Sequence, residues 1–186
     1  MKYLSRCLAL LALCSAAATS LAAAPYDVRS YGATGDGKTL DTAAINKAID
    51  AAAAAGGGTV DFPAGNYLIG AIQLRTRTLL RLTEDATLTG SPDFDDYPVT
   101  QVRWEGRWIE GHTALLYANG VEDIGIAGPG KIIGNPALGG RPRRDSPLRH
   151  PALIEPINCR NIRLEDFSTS YHLMWSIHPT LCQNIV

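Results

Sequence analysis

The residues best suited to chemistry in this chain are its histidines. The sequence contains four: His112, His150, His172 and His178. A nucleophilic triad would need one of them beside a serine and a carboxylate, but the sequence has no Gly-x-Ser-x-Gly elbow. We expect His178 to border a substrate groove, because Trp175-x-x-His178 lies on the last of the strand-like units described below.

Two segments between strand-like units carry side chains suited to binding sugars. Residues 91–111 are acidic and then aromatic, and residues 134–151 are basic. Aromatic rings suit sugar stacking, and arginine pairs well with carboxylates. The alternative is that the tryptophans cover the edge of the core and the arginines are solvated. We predict four substrate-binding residues, namely His178, Trp175, Arg149 and His150.

No residue pattern calls for a cofactor or a metal, so we predict neither. The glycine-rich stretch 31–38 lacks a Gly-Lys-Ser/Thr ending, and its spacing does not fit a dinucleotide fingerprint. Cys159 and Cys182 form no Cys-x-x-Cys pair and have no close histidine, which argues against zinc. Both occupy the same register of successive units, so we expect stacked, buried thiols. A disulfide between them is the alternative.

Residues 1–24 have the pattern of a secretory signal peptide. Lys2 and Arg6 precede a short apolar run, and small residues follow up to a cleavage site near Ala23 or Ala24. The apolar run is too short to span a bilayer. We therefore expect a secreted or periplasmic protein with no membrane partner after cleavage. Cleavage leaves 15 basic and 18 acidic residues with no basic stripe, which argues against nucleic acid as a partner.

The mature sequence repeats a short apolar unit. Residues 159–162 read Cys-Arg-Asn-Ile, and residues 182–185, 23 positions later, read Cys-Gln-Asn-Ile. A fixed period of this size is typical of stacked units that bury their apolar faces against one another. Strands of three to five residues, each followed by a turn, predict an all-β fold, specifically a parallel β-helix. We expect residues 25–186 to be its N-terminal part and the final coil to favour self-association.

One segment of the mature sequence is clearly helical. Asp41 or Thr42 begins it, and it continues to about Ala55 before three glycines. Its apolar residues recur at positions i, i+3, i+4 and i+7, namely Ile45, Ala48, Ile49 and Ala52. We expect this helix to cap the open end of the strand stack.

Several motifs resemble a known group of proteins. Residues 26–33 and 62–67 are similar to the opening segment of pectin-degrading β-helix proteins, which several activities share. Residues 103–106, 124–132, 149–151 and 175–179 more specifically resemble glycoside hydrolase family 28, the polygalacturonase family. The resemblance extends over essentially all of residues 26–186.

The resemblance implies a right-handed, pectin-lyase-like parallel β-helix. It also implies that the full-length protein hydrolyses α-1,4-galacturonosyl bonds of pectin with inversion, using two carboxylates about 6.5–9.5 Å apart. The family places these in an Asn-x-Asp segment and a following Asp-Asp pair, and neither is found where the resemblance requires it. Asp95-Asp96 lies too early in the chain to be this pair. The family also has a Gly-His-Gly motif, but Gly111-His112 is followed by threonine. We assign no catalytic residue and expect residues 1–186 alone to be inactive.

Two other functions fit the same residues. The shared opening segment also suits another polysaccharide-active β-helix, such as a pectate lyase or a rhamnogalacturonan hydrolase. A β-helix that binds polysaccharide without catalysis is the second alternative. A polysaccharide, with polygalacturonate or pectin as the leading candidate, is the expected partner in all of these readings.

Overall fold

The computed structural model describes residues 25–139 and 148–186. The predicted signal peptide, residues 1–24, lies outside the described residues, as does the central part of the basic insertion, residues 140–147. Within the described ranges the chain forms one α-helix, α1 (Thr42–Ala54), three short 3-10 turns and sixteen strands. The strands are β1 (Tyr26–Asp27), β2 (Asp36–Leu40), β3 (Gly58–Phe62), β4 (Gly65–Ile69), β5 (Ile72–Gln73), β6 (Thr78–Leu82), β7 (Ala86–Gly90), β8 (Val99–Trp104), β9 (Arg107–His112), β10 (Leu116–Asn119), β11 (Glu122–Ala127), β12 (Lys131–Ile133), β13 (Ile154–Ile157), β14 (Arg160–Glu165), β15 (Ser168–Ser170) and β16 (Gln183–Ile185).

Three parallel sheets wrap around a common core, which makes the fold a right-handed parallel β-helix, as predicted. The first sheet has the order β1-β3-β6-β11-β14-β16. The second has the order β5-β10-β13, and the third β2-β4-β7-β12-β15. Successive coils stack with side chain above side chain, so one column of residues runs up each face. Functional side chains can therefore be located by register.

Helix α1 closes the first coil, as predicted. Its predicted apolar stripe is fully buried. Asp41 precedes the helix, but its carboxylate makes no capping hydrogen bond to it. The carboxylate instead accepts hydrogen bonds from the backbone N–H groups of Thr34 and Gly35, at 2.7 and 3.0 Å, and from the Thr34 hydroxyl. Asp41 thus ties the glycine-rich loop to the start of the helix.

The repeated Asn of the 23-residue unit forms a ladder at the start of the first sheet's strands. Asp123, Asn161 and Asn184 all have φ near +55°, a conformation that short polar side chains tolerate best. The Asn161 amide donates to Asp123, and the Asn184 amide donates to Asn161, at 2.8 and 2.9 Å. This ladder is the physical reason for the repeat.

The two cysteines of the repeated unit are free thiols, as expected, but only Cys159 is buried as expected, because Cys182 on the last coil is partly exposed. Each cysteine directly precedes a residue of the β14–β16 pair Arg160–Gln183, so the two thiols occupy equivalent positions one coil apart. Cys159 is fully buried, and this burial raises the pKa of its thiol. We therefore expect Cys159 to be poorly reactive in the folded protein.

The structure differs from the sequence interpretation at three places. Part of the glycine-rich turn is strand β2. Residues 99–112 form the antiparallel hairpin β8–β9 rather than a loop, because Glu105 and Gly106 both adopt positive φ and make a two-residue turn. The segment predicted as a strand at residues 175–177 keeps a single bridge, Ile154 to Ile177.

Candidate functional site

The second sheet carries a column of polar side chains on its outer face. Gln73, Tyr117 and Glu155 are paired in register on β5, β10 and β13. The bridge between Ile154 and Ile177 continues this register, so His178 lies beside Glu155. Because alternate residues of these strands fill the core, this column points away from it.

Glu155 is the centre of the candidate site. Its Oε2 accepts a hydrogen bond from Nη2 of Arg149 at 2.5 Å, and its Oε1 lies 2.8 Å from Nδ1 of His178. Arg149 and Glu155 have no exposed side-chain surface, whereas His178 keeps 19% of its surface exposed. The carboxylate therefore joins a buried cation to an imidazole at the surface.

Trp175 packs against this cluster. Its ring lies parallel to the imidazole of His178, with ring centres 4.1 Å apart and planes 12° apart. The guanidinium carbon of Arg149 is 5.6 Å from the centre of the same indole. The half-buried indole therefore shields the buried ion pair from water and fixes the orientation of the His178 ring.

The buried ion pair is incompletely satisfied. Nε and Nη1 of Arg149 have no hydrogen-bond partner among the described residues. Removing a guanidinium from water is costly, and each buried N–H without a partner adds to that cost. A buried group without partners requires an explanation, and a role in binding or catalysis is one such explanation.

His178 is the group of this cluster that can act on a ligand. Since a carboxylate only accepts hydrogen bonds, Nδ1 of His178 carries the proton that faces Glu155. Nε2 then points away from the carboxylate. In the neutral ring Nε2 accepts a hydrogen bond from a sugar hydroxyl, and in the charged ring it donates one to a carboxylate.

Three of the four predicted binding residues meet in this cluster, but with different exposure. His178 and Trp175 reach the surface, whereas Arg149 is completely buried and positions Glu155 from behind. No exposed part of Arg149 is available to touch a large substrate.

The fourth predicted residue, His150, lies in a different group of rings. The ring of Phe94 is 4.9 Å from His150 and 4.8 Å from His112. The nearby Tyr97 hydroxyl donates to the carbonyl of Ser91, and burial strongly raises the pKa of Tyr97. These rings join the base of the β8–β9 hairpin to the second sheet.

Sequence reasoning missed Glu155. The available signal was a single charge inside an otherwise apolar and buried run, residues 151–157. A carboxylate in such a run needs a buried cation, and Arg149 lies only six residues earlier. The same residues offer no metal site: in the described ranges no three His, Cys, Asp or Glu residues lie together as metal ligands. No helix there is long and apolar enough to cross a membrane.

Comparison with known proteins supports the predicted resemblance. A family model described as rhamnogalacturonase A/epimerase, pectate lyase-like, matches residues 26–102. A Vitis vinifera protein that carries the name polygalacturonase is 29% identical over 167 residues, which cover 84% of this chain and 34% of the relative. A crystal structure of a Thermotoga maritima exopolygalacturonase superposes with a TM-score of 0.78 and 26% identity, covering 88% of this chain and 45% of that one.

A protein named for a different activity also matches this chain, over a shorter stretch. A mannuronan C5-epimerase of Azotobacter vinelandii is 64% identical over 44 residues, which cover 24% of this chain and 4% of the epimerase. The chain thus spans about a third or less of the length of these curated relatives. Together these matches confirm the similarity to the N-terminal portion of the family 28 polygalacturonases.

Proposed function

From this similarity to the N-terminal portion of family 28 polygalacturonases, we propose that the protein is a polygalacturonase-like glycoside hydrolase acting on pectin. In this proposal the full-length enzyme cleaves α-1,4-galacturonosyl bonds with inversion. The cluster formed by Trp175, His178, Glu155 and Arg149 is one part of its substrate groove. We also propose that residues 1–24 direct the protein out of the cytoplasm.

The contact between Glu155 and His178 carries this proposal. A buried carboxylate holds one ring nitrogen of His178 at 2.8 Å, and the His178 side chain keeps 19% of its surface exposed. Such an imidazole is already oriented before a ligand arrives, so little side-chain entropy is lost on binding. Arg149 and Glu155 compensate each other's charge, so the preference for an acidic sugar rests on the hydrogen bond that the charged form of the imidazole can donate to a carboxylate.

We assign no catalytic residue within residues 1–186. Both oxygens of Glu155 are engaged by Arg149 and His178, and the carboxylate has no exposed surface from which to protonate a glycosidic oxygen. In this proposal neither carboxylate of the inverting pair required for hydrolysis is assigned to a described residue. The cluster of Trp175, His178, Glu155 and Arg149 contributes substrate binding and orientation.

A second candidate is a β-helix enzyme that modifies mannuronan. The 64% identity with the epimerase favours it, and so does the mention of an epimerase in the family model. The match to that epimerase extends over 44 residues, and a protein of the same organism named alginate lyase 7 is 61% identical over 105 residues, which cover 55% of this chain. The similarity to polygalacturonases extends further, over 84–88% of this chain, so we give pectin precedence.

The two candidates are separated by titrating the protein with oligogalacturonate and with oligomannuronate of equal length. We expect tighter binding of oligogalacturonate. His178→Ala should weaken this binding about tenfold, as expected for loss of a hydrogen bond to a charged group. His172→Ala, which alters an exposed histidine six residues away, is the matched control and should leave the affinity unchanged.

Preference for oligomannuronate would replace pectin with mannuronan as the proposed substrate. Equal affinity of the wild type and His178→Ala for oligogalacturonate would remove the cluster from the groove.

A further inference from the structure

The β8–β9 hairpin departs from the regular coils and ends beside the candidate site. It is inserted between a strand of the third sheet, β7, and a strand of the second, β10. At its base Gly111 pairs with Arg149, and the N–H of His112 donates to the Arg149 carbonyl at 2.8 Å. The hairpin is thus fixed to the residue whose side chain holds Glu155.

The two tryptophans of the hairpin lie on opposite faces. Across the strands Arg103 pairs with Trp108, and Trp104 pairs with Arg107. Because side chains alternate between faces, Trp104 and Arg107 share the face of the buried Val102, and Trp108 and Arg103 share the other.

The face bearing Trp108 is already occupied by the protein itself. The guanidinium carbon of Arg103 lies 5.4 Å from the centre of the Trp108 ring, a cation–π contact. The indole remains 43% exposed, but the charge of Arg103 is directed at it rather than at solvent. This face offers less to a sugar than its exposure suggests.

The opposite face contains a surface hollow of about 310 Å³. Among the described residues it is lined by Trp104, Glu105, Arg107 and Ile109. Arg107 is exposed, and its side chain makes no ion pair or hydrogen bond with any other described residue. A free cation, a half-buried indole and a carboxylate therefore border one space of a size suited to a small ligand.

We propose that this hollow is a binding subsite for one uronate residue of an acidic polysaccharide. The ring of Trp104 stacks on the sugar ring, Arg107 pairs with the uronate carboxylate, and Glu105 accepts hydrogen bonds from hydroxyl groups. The inference rests on the proposed function for its ligand class and extends it, since it adds a second contact point beyond His178. A long oligosaccharide then contacts both the hollow and His178, whereas a short one contacts only one of them.

The test compares short and long oligogalacturonates by isothermal titration of the full chain as encoded. Arg107→Gln removes only an exposed charge, so it should retain the fold. It keeps the test valid if Trp104→Ala, which removes a half-buried ring, does not fold. We expect both variants to bind a long oligomer about five- to tenfold more weakly than the wild type, and to bind a galacturonate dimer unchanged. A neutral oligosaccharide of the same length should show no difference between Arg107→Gln and the wild type.

Two control variants lie on the other face of the same hairpin. Trp108→Ala and Arg103→Gln should leave affinity for the long oligomer unchanged. Equal losses from both faces, or no loss in Arg107→Gln, would overturn the proposal. If Arg107→Gln has wild-type affinity for the long oligomer while His178→Ala still weakens binding, the proposed subsite is wrong and the proposed function stands. If the wild type binds no oligogalacturonate, both fail.

Discussion

Among the residues that the structure describes, two carboxylates have almost no exposed surface, and their hydrogen-bonding needs are met in different ways. Asp41, at the start of the helix, accepts hydrogen bonds from two backbone N–H groups and a hydroxyl. Glu155, in the second sheet, is held only by the side chains of Arg149 and His178. Among the described residues, every buried polar side-chain atom around Asp41 has a hydrogen-bond partner. Around Glu155, two nitrogens of Arg149, Nε and Nη1, have none.

We interpret this difference as one between a structural site and the proposed binding site. Asp41 fixes the geometry of the opening loop through its contacts with Thr34 and Gly35. The matches to both the polygalacturonase-like and the epimerase proteins are consistent with this, because the family model shared by such activities begins at residue 26 and ends at residue 102. Glu155 lies beyond that range and orients a side chain at the surface.

The largest expected effect comes from breaking the buried ion pair. Glu155→Leu leaves the Arg149 charge buried without a partner, which should lower the free energy of unfolding by about 3–5 kcal/mol. Adding Arg149→Met removes that charge, and replacing a buried pair by apolar side chains is often neutral. We therefore expect the double variant to regain most of the lost stability in urea unfolding, but not the affinity for oligogalacturonate.

The variant that combines Glu155→Leu with Arg149→Met tests whether Glu155 differs in role from Asp41. If it recovers both stability and wild-type affinity, the pair is a packing element and the contrast with Asp41 disappears. Arg163→Gln on the first sheet breaks an exposed ion pair with Glu165 and should have no measurable effect on either property.

A smaller loss of stability is expected from Asp41→Ala. It leaves the N–H groups of Thr34 and Gly35 without their acceptor, at a cost of about 2–4 kcal/mol in the free energy of unfolding. Because these donors belong to the backbone, no change of side chain at Thr34 or Gly35 other than to proline removes them. Affinity for oligogalacturonate, measured well below the melting temperature, should match that of the wild type; a selective loss of affinity would contradict the structural role of Asp41.

Much of the fold followed from sequence patterns that have a direct physical cause. The 23-residue repeat reflects the Asn161–Asn184 ladder, and the apolar stripe of α1 reflects its position over the first coil. The hairpin was missed because its strands mix polar and aromatic residues on both faces.

The candidate site was only partly predictable. Trp175 and His178 are close in sequence and carry recognisable chemistry, and the structure brings them together. Their link to Glu155 depends on the register between coils 23 residues apart, which pairs Ile154 with Ile177 and which single residues do not reveal. Burial of Arg149 was equally invisible, since arginine is rarely buried unless it is paired.

The central claim is that Glu155 holds one nitrogen of His178 so that the other meets an acidic sugar. Nitrogen NMR of the histidine rings during a titration with oligogalacturonate tests it directly. The account predicts that the Nε2 signal of His178 shifts with saturable dependence on ligand, while Nδ1 keeps the shift of a protonated, hydrogen-bonded nitrogen. Binding that leaves His178 unchanged, or that moves the ring signals of His172 instead, would contradict the account.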